Sequence, residues 1–208
     1  MRRRLSILLI GLCLLVLNSG DVFAKSIEER LKAGEIIVTP LQKGNIQGVR
    51  TLALIDAELE DVWKVITDFK HFKDFMPLTK ESKVLAKKGN ILYYQGTVKV
   101  FPYTVTYVLK HTLNTKNKNE WVDRWEMGEG KYAYRQKEIN FKRNFGSWVF
   151  KREGKKTRSI YTVYVEYDIT VPVPEAVIKK ITNLLLKVSA PGVTKATRKR
   201  VEQVKRPK

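Results

Sequence analysis

From Leu78 to Ile169 the chain repeats one pattern, a strand-forming run followed by a turn, and nothing else in it constrains the fold as tightly. The clearest run is residues 103–113. There Tyr103, Val105, Tyr107 and Leu109 alternate with positions that are mainly Thr and Lys. Successive side chains of a strand point to opposite faces, so a period of two marks one apolar and one wetter face. Residues 82–86, 91–100, 121–127, 137–145, 147–152 and 157–169 read as further strands. Lys88-Gly89-Asn90, Phe101-Pro102, the polar run 114–119 and Gly154 separate them as turns. The expected result is an antiparallel sheet of six to seven strands.

Helical patterns flank this run. Upstream, residues 26–33 form a short charged helical lead-in. Ile36-Ile37-Val38 reads as a strand ended by Thr39-Pro40, and residues 49–55 as a second strand beyond the turn Lys43-Gly44-Asn45. Asp56 is an N-cap candidate, with Glu58, Glu60 and Asp61 at the positive end of the following helix. Leu59, Val62, Trp63 and Ile66 fall on one face of it. Asp68 and Phe69 close it, and Phe72, Phe75 and Met76 form one more short turn before Pro77. Downstream, Val171-Pro172-Val173-Pro174 ends the sheet and Pro174-Glu175 opens a long helix. Its apolar stripe is Val177, Ile178, Ile181, Leu184, Leu185 and Val188, and Pro191-Gly192 is expected to kink or break it.

The N-terminus reads as an address. Arg2, Arg3 and Arg4 precede the apolar run 5–17, which is too short to span a membrane core, where a helix needs about 20 residues. Polar breakers follow, then Val22-Phe23-Ala24. This is the pattern of a cleavable secretory signal over residues 1–24, with the cut after Ala24. Export to the periplasm or beyond is therefore expected. Cys13 is the only cysteine and lies inside that leader. The mature chain would hold none, which excludes disulfides, a thiolate metal site and a cysteine nucleophile.

Charge narrows the partners. The whole chain carries +19. Without Arg2, Arg3, Arg4 and Asp21 it retains 37 basic and 20 acidic residues, or +17. Such a field attracts polyanions. For an exported protein the abundant one is an anionic membrane surface and not nucleic acid. The tail concentrates the cations in Lys195, Arg198, Lys199, Arg200, Lys205 and Arg206, which are the candidate membrane contacts. The alternative is a solvated helix end whose cations suit the helix dipole.

Three segments carry a family resemblance. They are 61–69 continuing to Phe75-Met76-Pro77, Asn144-Phe145-Gly146-Ser147-Trp148 with the strand ending Tyr167-Asp168, and the helix after Pro174. In this order they resemble the α+β helix-grip fold of START-like proteins, the superfamily of polyketide cyclase-type and coenzyme Q-binding START domains. The resemblance covers roughly residues 48–202. Residues 25–47 then form a lead-in helix and strand, and 203–208 a basic tail.

The resemblance implies a curved sheet wrapped around the long helix, with an apolar cavity between them that binds a hydrophobic small molecule or lipid. The candidate lining comprises Phe72, Phe75 and Met76 from the helix pair and Val105, Tyr107, Leu109, Trp125 and Trp148 from the strands. Ile178, Ile181, Leu185 and Val188 from the long helix complete it. Such pockets are mainly apolar with a few polar anchors, and Tyr93, Arg124 and His111 are the candidates.

No catalytic constellation is legible. His71 is expected to be exposed, and His111 has no partner assigned by sequence. No HExxH, paired-Cys or Gly-rich phosphate motif occurs, so no cofactor and no metal is implied. The expected function is an exported carrier of a hydrophobic ligand. The alternative is a cyclase- or dehydratase-type enzyme using the same cavity. An enzyme needs at least two polar or titratable side chains converging inside it.

Overall fold

The computed structural model describes residues 25–100, 103–137, 139–169, 183 and 190–205. Its frame is one antiparallel sheet of eight strands: β1 Ile37–Lys43, β2 Ile46–Ile55, β3 Thr79–Lys88, β4 Ile91–Val100, β5 Tyr103–Asn117, β6 Glu120–Met127, β7 Ile139–Glu153 and β8 Lys156–Ile169. They lie in the order β1-β2-β8-β7-β6-β5-β4-β3. Among the described residues they are accompanied by the α-helices α1 Ile27–Lys32, α2 Leu59–Ile66, α3 Phe72–Phe75 and α4 Ala190–Lys205. Because β2 and β3 lie towards opposite edges, the chain between them must cross the sheet, and α2 and α3 make that crossing. α2 packs against β7 and β8, α3 against β3, and α4 against β2, β8 and both of these helices.

Six of these strands, β3 to β8, lie between Leu78 and Ile169, within the six to seven expected, and β1 and β2 join the same sheet to make eight. Residues 137–145 and 147–152 do not form separate strands, since β7 runs unbroken through Gly146. A bulge between Phe141 and Arg143 changes its phase. Ile139 and Phe141 are buried before it, and Asn144, Trp148 and Phe150 after it. One inserted residue exchanges the two faces of a strand, so a strict period of two breaks there although the strand does not. At the other end, β1 does not stop at Pro40. It continues to Lys43 and pairs with β2 from Ile37↔Leu52 to Lys43↔Ile46. Pro40 is tolerated because β1 is the edge strand, where a missing N–H costs no ladder bond.

The local signals had mixed outcomes. α1 carries a full capping box, Ser26 accepting from Glu29 N–H and Glu29 accepting from Ser26 N–H. Asp56 is not the cap of α2. Glu58 holds that position and makes no side-chain cap bond. α2 buries Leu59, Val62, Val65 and Ile66. Its Glu60 reaches β7 through Arg152, which donates to both carboxylate oxygens and holds that carboxyl below its usual range. Pro191 and Gly192 lie within helical α4.

Candidate functional site

Between the sheet and the helices lies a cavity of about 150 Å³. Its floor comes from alternate residues of five neighbouring strands: Tyr94 and Val98, then Tyr107, Leu109 and His111, then Asp123 and Trp125, then Phe141, Asn144 and Trp148, then Tyr161, Val163 and Val165. Phe72, Met76, Pro77 and Leu78 from α3 and the turn after it, with Ala190 and Val193 of α4, cover it from the helix side. Leu78 has φ 62°, the left-handed region that a branched side chain rarely occupies. Its carbonyl accepts from Lys99 N–H at 3.0 Å, which holds the turn against β4.

Two glycines make room for the wall. A Cβ on Gly96 would meet the Tyr107 hydroxyl at 2.7 Å and Tyr94 Cε1 at 2.9 Å. A Cβ on Gly146 would lie 2.2 Å from the Thr162 carbonyl and 2.5 Å from Trp125 Cζ2. The rings fold over positions that carry no side chain. Trp125 lies 5.5 Å from Tyr161, centroid to centroid, and Trp148 lies 5.1 Å from it, so the wall is a contiguous aromatic surface.

Several polar groups in this wall are paired among the described residues. Trp125 Nε1 donates to Asn144 Oδ1 at 3.2 Å, and Trp148 Nε1 donates to Ser159 Oγ at 2.9 Å. The Tyr94 and Tyr107 rings meet edge to face with centroids 6.3 Å apart. Burial pushes Tyr107 up to about 12 and raises Tyr94 and Tyr161 as well, so all three are neutral phenols at ordinary pH. His111 Nδ1 lies 2.9 Å from each carboxylate oxygen of Asp123. Side-chain exposure is 6% for His111 and 3% for Asp123. His111 Nε2 is buried with no hydrogen-bond partner among the described residues.

Of the residues expected from sequence, Phe72, Met76, Tyr107, Leu109, Trp125 and Trp148 line the cavity, and so does the anchor His111. Val105 is buried in the core outside the lining, and Phe75 packs edge-on against Phe72 at 5.7 Å. Tyr93 and Arg124 are corrections. Each sits one residue from an inward-facing neighbour, so the pleat turns it to the opposite face. Tyr93 stacks on Tyr132 at 3.8 Å, and Arg124 is exposed. Ile178, Ile181, Leu185 and Val188 lie outside the described residues. Sequence reasoning missed Asp123, although it shares Trp125's parity on the strand beside His111. It also missed Tyr94, the inward neighbour of Tyr93.

The expected membrane cations separate in the same way. Lys195, Lys199 and Lys205 are exposed, while Arg206 lies outside the described residues. Arg200 lies 5.9 Å over the Phe75 ring. Arg198 is a structural cation. Its guanidinium donates to Gly34 O at 2.6 Å and Leu54 O at 2.8 Å, and burial lowers its pKa.

Comparison with known proteins agrees with this architecture. A family model described as "Polyketide cyclase / dehydrase and lipid transport" matches residues 55–189. A search of curated proteins returned no match. Among solved structures, a STAR-related lipid transfer protein from Xanthomonas axonopodis is similar with TM-score 0.69 and 19% identity, over 86% of this chain and 97% of that one. A Streptomyces aromatase/cyclase gives 0.64 and 15%, over 78% and 97%. Human StAR-related lipid transfer protein 5 gives 0.61 and 10%, over 81% and 88%. At these identities the likeness is one of fold: the architecture is START-like.

Proposed function

The chain belongs to the polyketide cyclase / dehydrase and lipid transport family, and from that premise we propose that it is an exported carrier of a hydrophobic molecule held in the cavity. One observation carries this reading: about 150 Å³ of space bounded mainly by aromatic and aliphatic side chains. Interiors pack densely, and apolar walls that face an unfilled space forgo packing contacts at a cost in free energy. An apolar ligand offsets that cost. The leader 1–24 and the exposed Lys195, Lys199 and Lys205 support export and an encounter with anionic membrane.

The test is native mass spectrometry with lipid extraction on protein purified from its own host. A bound apolar molecule, with a chain that begins at Lys25, is the expected result. Protein recovered without a ligand counts against carriage, and a chain that retains residues 1–24 counts against a cleaved leader.

The convergence of His111 and Asp123 on the cavity wall favours a second reading, an enzyme of the cyclase or dehydratase type. Incubating the extracted ligand with fresh protein discriminates the two. A carrier returns it unchanged, and a dehydratase returns it with water lost.

A further inference from the structure

Resting on the reading of this cavity as a ligand site, we infer that its occupant is an apolar molecule bearing a hydroxyl group, an alcohol or a phenol, which hydrogen-bonds to His111 Nε2. Asp123 positions the imidazole for that contact. Three observations converge on this atom. The ring is fixed: both oxygens of Asp123 hold Nδ1 at 2.9 Å, and Phe69 packs against the ring with centroids 4.6 Å apart. Nε2 is buried without a partner among the described residues, in a residue that lines the cavity. On the same wall the side-chain oxygen of Asn144 is engaged by the Trp125 indole N–H at 3.2 Å.

A buried polar atom left unpaired costs free energy that a ligand group can recover. The chemistry of Nε2 selects that group. With Nδ1 donating to Asp123, a neutral imidazole presents a lone pair at Nε2, whereas an imidazolium presents an N–H there. A hydroxyl donates to the first and accepts from the second, so it satisfies either state. A carboxylate or phosphate would have to lie in an aromatic cavity beside the Asp123 carboxylate, where like charges repel. An ammonium would face the imidazole with no second anion among the lining residues described.

The experiment is a titration of the delipidated full-length mature protein with 2-naphthol and naphthalene, which differ only in one hydroxyl, followed by tryptophan fluorescence. A hydroxyl entering a dry apolar site without a partner makes naphthol the weaker ligand. With Nε2 as partner, naphthol binds more tightly by roughly tenfold. In the double variant His111→Phe/Asp123→Leu, which removes both members and leaves no orphaned charge, the preference reverses and naphthalene still binds. Because that variant could lose its fold, nitrogen NMR of the wild-type protein gives an independent readout. Naphthol moves the His111 Nε2 resonance and naphthalene leaves it in place. Equal affinities, an unmoved resonance or a preference that persists in the folded double variant overturns the hydroxyl assignment and leaves the cavity reading standing. Failure of both probes to bind overturns the two together.

Discussion

At the cavity wall Gly146 is defined by what its missing side chain admits. The first contact of an added Cβ is the backbone carbonyl of Thr162 at 2.2 Å, which cannot rotate away, and Trp125 follows at 2.5 Å. Gly146→Ala must therefore push β7 from β8 or displace the indole. The expected cost is about 3 kcal/mol in urea denaturation, with red-shifted tryptophan emission. Tyrosine burial sets an alkaline limit on stability. The unfolded side chain ionises near 10.0, whereas Tyr107 is pushed up to about 12 and Tyr94, Tyr161 and Tyr167 are also raised. Below the unfolded value both states keep the proton, and the contribution to stability is fully present. Above it the unfolded state loses protons first, so stability falls as pH rises from about 10 through about 12. Denaturation midpoints measured across that window should drop, and Tyr94→Phe should make the drop shallower.

Among the elements, α4 is held by a small set of contacts spread along its length. Thr194 Oγ1 meets Thr51 Oγ1 at 2.8 Å inside the core, Arg198 reaches two carbonyls, and Lys205 donates to Asp56 O at 3.1 Å. Arg198→Met keeps the aliphatic stem but loses the guanidinium bonds, and should cost about 2 kcal/mol. Lys199→Ala on the exposed side should change stability by no more than about 0.5 kcal/mol. Co-sedimentation with anionic vesicles should respond in the opposite order, falling for Lys195, Lys199 and Lys205 changed together and little for Arg198→Met. Binding that ignores both these lysines and added salt would count against the electrostatic contact. Sequence pattern treated these cations as equivalent because composition does not record which side of a helix meets a carbonyl. Similarly, the inward alternation of β5 was legible from Tyr103 to Leu109. The phase of β7 was not, because its bulge changes parity without any glycine or proline to announce it.

For the molecule as a whole, the decisive question is whether the cavity exists to be filled. Val163→Phe places a larger apolar group in it from β8. If the space serves a ligand, this variant should equal or exceed the wild type in thermal stability and lose its co-purified molecule in native mass spectra. Retention of the ligand at full occupancy would place the binding site elsewhere. The sequence by itself determined the antiparallel strands, the lead-in helix and the START-like order of elements, because these follow from periodicity and turn residues within a few positions of the chain. Only the tertiary structure decided that β1 joins the sheet edge, that Tyr93 and Arg124 face outward, and that His111 meets Asp123 twelve residues away. Those outcomes depend on register and on contacts between segments distant in sequence, where a shift of one residue exchanges the inner and outer faces.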